Sequence, residues 1–188
     1  MSGSTISGGS QLVSAIQQQT HQWLQSFVVK YNICPFAKRE VERGSIRYKI
    51  VDSDDIEAQL ATLLEECQIL DTQPEIETTL FIIPQLSDFY DYLDFVDWSE
   101  GLLGEQGYNG VYQVASFHPD YCFANASKDD PSNYTNRSPY PMLHLIREQT
   151  ITRLSRLHPD PEGIPETNIK LTQQLGLEAL KQILYNCK

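Results

Sequence analysis

Positive charge is missing from the middle of this sequence. Between Ile50 and Ser127 lie sixteen of the 25 Asp and Glu residues, and that stretch contains no Lys or Arg. The chain of 188 residues carries a formal net charge of −11. A protein this acidic is repelled by nucleic acid and by anionic lipid. We therefore expect neither nucleic acid nor a membrane among its partners.

Cysteine is scarce, and its spacing excludes the common frameworks. No CxxC pair occurs, so neither a zinc ribbon nor a disulfide scaffold is predicted; the four cysteines are Cys34, Cys67, Cys122 and Cys187. Residues 1–11 are polar and lack the apolar run of a secretory signal. We expect a disordered tail over residues 1–11, one globular domain over residues 12–188, and reduced thiols in a cytoplasmic protein.

Long hydrophobic runs and cofactor motifs are also absent. The most apolar short run, Leu80–Ile83, is far below the roughly 20 residues that span a membrane. The sequence has no phosphate-binding glycine loop, no GxGxxG after a strand, no HExxH and no GxSxG. These absences leave any cofactor unknown.

Apolar periodicity predicts helices and strands in alternation. The predicted strands are Ile46–Val51, Thr78–Ile83 and Val111–Phe117; the predicted helices are Gln11–Val29, Phe36–Arg43, a segment from Asp54 to near Asp71, a segment capped by Ser87, Met142–Leu157, and a segment capped by Thr167 or Asn168. Such alternation is typical of crossover units on a parallel sheet. We predict an α/β fold with a small, mostly parallel three-stranded sheet and flanking helices. The alternative is an α+β sandwich with one antiparallel strand.

A long polar loop follows the third predicted strand. More than twenty residues separate Phe117 from Pro141, whereas connections in compact domains usually have about 4–6. Long ordered loops often carry function, and open parallel sheets bind ligands beyond the carboxyl ends of their strands. The sequence therefore places a candidate site where this loop begins.

Cys34 and His118 are the candidates for catalysis. Cys34 lies next to the start of the predicted helix Phe36–Arg43, where unpaired N–H groups and the nearby Arg39 favour a thiolate. It is predicted as a nucleophile, or alternatively as a small buried apolar residue. His118 is predicted as a general base oriented by Asp120, or alternatively as a cap of the strand end.

Substrate binding is predicted for polar side chains around the loop. The planar guanidinium of Arg137 suits a carboxylate or phosphate, and it equally suits a structural tie between loop carbonyls. His144 and Arg147 would share one face of a helix beginning near Pro141, whose N-terminus would also attract an anion. The predicted binding set is Arg39, Tyr121, Asn133, Asn136, Arg137, His144 and Arg147.

The distribution of basic residues indicates the ligand that such a site would take. Lys and Arg residues lie on both sides of the acidic middle of the chain. If the two basic segments converge in space, they would hold an anion. We therefore expect a small anionic molecule as the ligand, and the alternative is two solvated surfaces of opposite charge.

A metal site is a further hypothesis. Cys34, His118, Cys122 and His144 would form a Cys2His2 set suited to zinc. The spacing of these residues does not single out a metal, because a long loop can bring them together or keep them apart.

Three segments give the sequence a family resemblance. Asn32–Ala37 is NICPFA, Ala115–Tyr121 is ASFHPDY, and Asn133–Pro141 is NYTNRSPYP. With these segments the chain resembles DUF1415, a bacterial family of unknown function, over nearly its whole length from about Val13. The resemblance implies a bacterial cytosolic protein and transfers no activity. In the pattern of that family the position of Cys122 is usually not Cys, which weighs against the zinc hypothesis.

Three hypotheses about function follow from these observations. The first is an enzyme that acts on a small anionic metabolite, with Cys34 as nucleophile or redox thiol and His118 as base. The second is a binding or regulatory protein that uses the same loop without turnover. The third is a zinc-binding protein. The sequence leaves open whether the chain is an enzyme, and it does not indicate an oligomeric state.

Overall fold

The order of helices and strands matches most of the predicted order. The structure, a computed structural model, describes residues 6–188, with side chains from residue 9 onward. Within that range the elements are α1 (Ile6–Trp23), a π-helical segment (Leu24–Val29), α2 (Ala37–Arg43), β1 (Ile46–Ile50), α3 (Ile56–Thr72), β2 (Thr78–Ile82), α4 (Phe89–Glu105), β3 (Tyr112–Phe117), a 3-10 helix (Pro131–Thr135), β4 (Met142–Arg147), α5 (Glu148–Leu157), α6 (Ile164–Leu175) and α7 (Leu177–Tyr185).

Capping residues set several of these boundaries. The Asp55 side chain accepts a hydrogen bond from the backbone N–H of Ala58 and begins α3. Asp88, one residue after the predicted Ser87, does the same for α4. Gly44 ends α2 with φ of 65°, a left-handed conformation that glycine adopts at low cost. Short polar side chains at the start and glycine at the end are the signals that sequence reasoning uses.

The N-terminal helix is longer than predicted. α1 begins at Ile6, so residues 6–11 of the predicted tail are helical, and residues 1–5 lie outside the described residues. The helix continues through the π-helical segment to Val29, where the predicted helix ends. Across residues 6–188, no helix has both the length and the apolarity needed to cross a membrane.

The sheet has four strands in the order β1-β2-β4-β3. β1 and β2 are parallel, whereas β4 runs antiparallel to both of its neighbours, β2 and β3. The predicted three-stranded sheet is therefore wrong, and the mixed α/β character is confirmed. The single antiparallel strand is the feature that the alternative prediction contained.

The strand that was not predicted is β4. The segment Met142–Leu157 is not one helix. Its first six residues form β4, one of the two central strands of the sheet, and α5 starts at Glu148. A strand buried on both faces presents a continuous apolar run that periodicity cannot separate from a helix. The helix N-terminus expected near Pro141 does not exist, so it cannot attract an anion.

Helices cover both faces of the sheet. One face packs against α3 and α4, and its core includes Leu63, Leu70, Phe81, Tyr92, Phe95, Leu143 and Leu145. The other face packs against α1, the π-helical segment, α6 and α7, and its core includes Ile16, Trp23, Phe27, Leu80, Met142 and Leu180. We call these the α3 face and the α1 face. Because side chains alternate along a strand, each strand residue belongs to one face only.

Candidate functional site

The asparagines of the long loop bind the loop itself. Asn133 is fully buried; its side chain donates to the carbonyl of Ser127 (2.8 Å) and accepts from the backbone N–H of Phe123 (3.0 Å). Asn136 donates to the carbonyl of Ser116 and ties the loop to the end of β3. Both predicted binding residues therefore use their amides to hold the loop in shape.

Arg137 has the same structural role. Its Nε donates to the carbonyl of Tyr121 (3.1 Å), and its Nη2 donates to the carbonyl of Lys128 (2.9 Å). The guanidinium carbon lies 4.7 Å from the ring centroid of Tyr134. The ring of Tyr121 packs against Phe89 at 5.5 Å between centroids. The structure matches the alternative in which Arg137 ties loop carbonyls together.

His118 is fully buried on the α3 face. Its Nε2 donates to the carbonyl of Leu86 (3.1 Å), and its Nδ1 accepts from the backbone N–H of Asp120 (3.0 Å). The ring lies 5.2 Å from Phe89 and 5.0 Å from Tyr92, measured between centroids. Burial lowers the pKa of His118, so the ring is neutral with both nitrogens occupied. The structure matches the alternative of a strand-end cap, and Asp120 orients the ring through its backbone rather than its carboxylate.

Arg147 also lies on the α3 face. Its Nη2 donates to the carbonyls of Leu70 (2.6 Å) and Ile76 (2.9 Å) and satisfies the C-terminal end of α3. Because β4 is a strand, His144 points to the opposite face of the sheet. The prediction that Arg147 and His144 share one face is wrong.

Cys34 and His144, which are 110 positions apart, line one cavity on the α1 face. The cavity has a volume of about 260 Å³, and its floor is the sheet. α5 covers it with Ile151 and Leu154, and Ala115 of β3 lies beside His144 in the sheet register. Most of the wall is apolar. Its polar members are Cys34, Glu40, Glu77, Thr78, Thr135, His144 and Thr150.

Cys34 enters the cavity from the turn that precedes α2. The chain reverses at Asn32, which has φ of 55°, and the cap residue of α2 is Phe36, two positions after the cysteine. Burial raises the pKa of the Cys34 thiol, although the backbone N–H groups of Phe36 and Ala37 oppose that rise. Burial is the larger of the two effects, and it opposes the activated thiolate that was predicted from the sequence.

His144 presents one unpaired nitrogen. The hydroxyl of Thr78 donates its single proton to the carbonyl of Leu145, so it accepts from Nε2 of His144, 2.7 Å away. Desolvation lowers the pKa of His144 to about 4, so the ring is neutral and carries its proton on Nε2. Within residues 9–188 nothing hydrogen-bonds Nδ1, and that atom is not buried. Nδ1 is therefore an acceptor for a molecule in the cavity.

Two carboxylates, and no Lys or Arg from the described residues, lie on the cavity wall. Glu40 is buried and accepts a hydrogen bond from the hydroxyl of Ser45 at 2.6 Å. Glu77 accepts one from the hydroxyl of Thr150 on α5. Arg39, a predicted binding residue, is half exposed, and its Nε lies 3.5 Å from the Glu40 carboxylate. The surface of the cavity is almost wholly apolar, and an apolar surface favours an uncharged ligand over an anion.

An indole in the same wall has an unused donor. Trp23 is buried, and its Nε1 has no hydrogen-bond partner among the described residues. The ring packs edge-on against Phe117 of β3 at 5.6 Å between centroids. Buried polar groups in folded proteins are nearly always hydrogen-bonded, so this donor is an exception; because the nitrogen itself is buried, a molecule in the cavity contacts the ring of Trp23 rather than its N–H.

The zinc ligands proposed from the sequence do not meet. The sheet separates His118 from Cys34 and His144, and the thiol of Cys122 bonds the carbonyl of Ala126 within the loop at 3.5 Å. Across residues 6–188 no three His, Cys, Asp or Glu side chains are grouped so that they could hold a metal ion.

Sequence reasoning missed several residues of this cavity. Thr78 fixes the tautomer of His144. Trp23, Ala115 and Ile151 form part of the cavity wall. Each of them reads in the sequence as an ordinary core or strand residue. Ala115 lies between the larger Gln113 and Phe117 on one face of β3, and this small residue was the one available signal of space on that face.

A family model described as "Protein of unknown function (DUF1415)" matches residues 15–182 of the chain. The chain belongs to this family. The resemblance of the sequence to DUF1415 is thereby confirmed, and the cavity wall from Trp23 to Leu154 lies within the matched span. The comparisons with curated proteins and with solved structures found no match.

Proposed function

We propose that this DUF1415 chain binds a small, largely apolar molecule in the cavity and contacts it through Cys34 and His144. One observation carries the proposal: an apolar cavity whose wall holds a thiol and an imidazole with an unpaired nitrogen. Protein interiors keep few voids larger than a water molecule. Concave, mostly apolar pockets with a few placed polar groups are where small molecules bind.

The volume of the cavity sets the size of the ligand. An apolar cavity of about 150 Å³ accepts benzene, which has six carbons. Scaled to about 260 Å³, the same packing accepts about ten carbon-sized atoms. The ligand is therefore small, comparable to a ten-carbon aliphatic chain or a two-ring aromatic.

The polar groups of the wall set the character of the ligand. His144 offers Nδ1 as an acceptor, whereas the indole N–H of Trp23 is itself buried and out of reach. An anion placed in this largely apolar space would lose its hydration without a Lys or Arg among the described residues of the wall to pair with. These contacts support a molecule that is uncharged where it lies in the cavity and has at least one hydrogen-bonding atom. The setting that we propose is the bacterial cytoplasm that the family resemblance implies.

A cavity-filling substitution tests the proposal. Ala115→Leu places three further carbons into the cavity beside His144. We expect it to abolish binding of ω-bromodecanol, a neutral ten-carbon probe whose bromine quenches the fluorescence of Trp23 on contact. The measurement is the quenching of tryptophan emission as the probe is titrated. Trp98→Phe serves as the background, because Trp98 is 48% exposed and would otherwise add its own signal.

The matched control places the same carbons elsewhere. Ala61→Leu lies on the exposed side of α3, on the other side of the sheet, and should leave the quenching curve unchanged. If ω-bromodecanol fails to quench Trp23, or quenches it equally in the Ala115→Leu variant, the cavity is not a binding site and the proposal fails.

A second candidate is an enzyme in which Cys34 is the nucleophile and His144 is the base. The observation that favours it is that Cys34 and His144 line the same cavity and that Nδ1 of His144 is unpaired. A neutral imidazole can take the proton of a thiol as the sulfur attacks. His144 then has the role that the sequence gave to His118, which lies on the α3 face.

Alkylation by an aliphatic electrophile separates the two candidates. N-octyl iodoacetamide should enter the cavity and label Cys34, and Cys34→Ser identifies the labelled residue. If His144 acts as the base, His144→Gln slows the labelling at pH 7 by tenfold or more, because general base catalysis is worth about 10²–10⁴. An unchanged rate favours a protein that binds without turnover.

A further inference from the structure

We infer that the ligand is an amphipathic acid, with its aliphatic chain in the cavity and its anionic group in an arginine-lined groove beside α5. This inference rests on the proposed function and names the ligand class for the same site. It starts from a second concavity that adjoins the first. That groove has a volume of about 900 Å³, and its walls include Arg147, Arg153 and Arg156.

Two residues belong to both spaces. Glu77 and Thr150 line the cavity and also the groove. The hydroxyl of Thr150 donates to the carboxylate of Glu77, so this one hydrogen bond lies at the boundary. A molecule that extends past this pair would reach from the apolar wall of the cavity to the guanidinium groups of the groove.

The sequence of α5 produces this division. Ile151 and Leu154 face the cavity, whereas Arg153 and Arg156 face the groove. The spacing of three or four residues puts each pair on its own side of the helix. α5 buries only Thr150 among its ten residues, so its apolar side chains contribute to the cavity wall rather than to a closed core.

The charges of the groove favour an anion. Arg153 and Arg156 are exposed, and within residues 9–188 no carboxylate pairs with either of them. Arg147 directs its guanidinium to the α3 face, where its Nη2 donates to the carbonyls of Leu70 and Ile76, so Arg153 and Arg156 are the cations available to a ligand. Glu77 and Glu148 also line the groove, and the hydroxyl of Thr150 already hydrogen-bonds the Glu77 carboxylate.

The chemistry of guanidinium selects the anionic group. Arg presents planar N–H pairs that match a carboxylate in a bidentate manner. The cavity accepts an aliphatic chain of about ten carbons. Together they fit an aliphatic monocarboxylic acid of about that length. The anion predicted from the sequence then lies at one end of the ligand, while the uncharged remainder contacts Cys34 and His144.

Paired probes test this inference on the full chain. ω-Bromodecanoate and ω-bromodecanol differ only in the carboxylate, and quenching of Trp23 reports the occupancy of the cavity by either. We expect ω-bromodecanoate to bind at least tenfold more tightly than ω-bromodecanol at low salt. Arg153→Gln combined with Arg156→Gln should remove that advantage and leave the affinity for the alcohol unchanged. Both arginines are exposed, so the double variant should fold.

A control variant separates the groove from the overall charge. Lys170→Gln combined with Lys181→Gln removes the same two positive charges from exposed sites on α6 and α7 and should leave both affinities unchanged. Glu77→Gln keeps an acceptor for Thr150 and removes a repelling charge. It should tighten the binding of ω-bromodecanoate severalfold.

The outcomes distinguish the two proposals. If the alcohol binds and the acid binds no better, or if the arginine variant keeps the preference for the acid, the inference about the groove is overturned and the proposed function stands. If neither probe quenches Trp23, both are overturned. Tight acid binding that is lost only in the arginine variant supports both.

Discussion

The long loop and the cavity are both rich in polar side chains, and they differ in how many of those groups are already used. In the loop, His118, Asn133 and Arg137 each bind at least two backbone groups. In the cavity, Nδ1 of His144 has no partner among the described residues. The polar side chains of the loop use their hydrogen bonds within the loop and its supports, whereas the cavity has an acceptor left for a ligand.

The difference follows from what an irregular segment needs. Backbone N–H and C=O groups that are not in a helix or sheet must find other partners. Side chains of Asn, His and Arg supply them, so a long ordered loop is polar even when it binds nothing else. The density of polar residues is therefore a weaker guide to a binding site than the presence of unused polar atoms beside an apolar cavity.

The largest expected effect is in the loop. Asn133→Ala removes the acceptor of the Phe123 N–H and the donor to the Ser127 carbonyl from a fully buried position. We expect the free energy of unfolding to fall by about 2–3 kcal/mol, measured by urea denaturation. Quenching of Trp23 by ω-bromodecanol should persist under folding conditions, because the cavity does not include Asn133.

The matched control is in the same loop. Asn125 is exposed and makes no side-chain hydrogen bond within residues 9–188, so Asn125→Ala should cost less than about 0.5 kcal/mol. If the two variants have equal stability, the loop is not held by its own side chains. If Asn133→Ala is stable and loses the probe, the loop is part of the binding site and the comparison is reversed.

A smaller effect is the contribution of His144 to the pH dependence of the free energy of unfolding. The folded chain keeps His144 neutral down to about pH 4, whereas the unfolded chain protonates it near 6.5. The unfolded state therefore binds more protons between these values, so stability falls as the pH is lowered through that window. Partial exposure to the cavity reduces the effect, and we expect about 1–2 kcal/mol between pH 7 and pH 5.

His144→Gln measures this contribution. Urea denaturation gives the free energy of unfolding of both proteins at pH 7 and pH 5. The difference between the two pH values should be smaller by about 1–2 kcal/mol in the variant than in the unmodified protein. His118, whose pKa burial also lowers, is present in both proteins and cancels from the comparison. An equal pH dependence would mean that the imidazole of His144 is hydrated in the folded state, which contradicts an apolar cavity.

Most of the fold could be predicted because its signals are local. Asp55 and Gly44 mark helix ends through their own hydrogen bond or φ angle, and β1, β2 and β3 were found within about one residue of their bounds. β4 could not be predicted in this way. Leu143 and Leu145 face α3 and α4 while Met142 faces α1, so the segment has no alternation, and only its neighbours in the sheet make it a strand.

The candidate site depended on that missing strand. Cys34 and His144 were both selected from the sequence, and the structure brings them together. His118 was paired with Cys34 without knowledge of the face to which it points. Phe117 faces the cavity, so the residue after it points to the opposite side. A strand position changes face at every residue, and the pairing of remote side chains needs the register of the sheet.

The smallest expected effect is on the rate at which the thiol of Cys34 is alkylated. Burial raises the pKa of Cys34, so iodoacetamide labelling of this residue in the folded chain should reach half of its maximal rate above pH ~8.5, the value for a free thiol. Mass spectrometry of the peptide that contains Cys34 gives the rate at each pH, and the urea-unfolded chain supplies the reference curve. A midpoint below that reference would show that the N–H groups of Phe36 and Ala37 outweigh burial. Cys34 would then be an activated nucleophile, and the cavity would be a catalytic centre rather than a binding site whose polar groups are neutral.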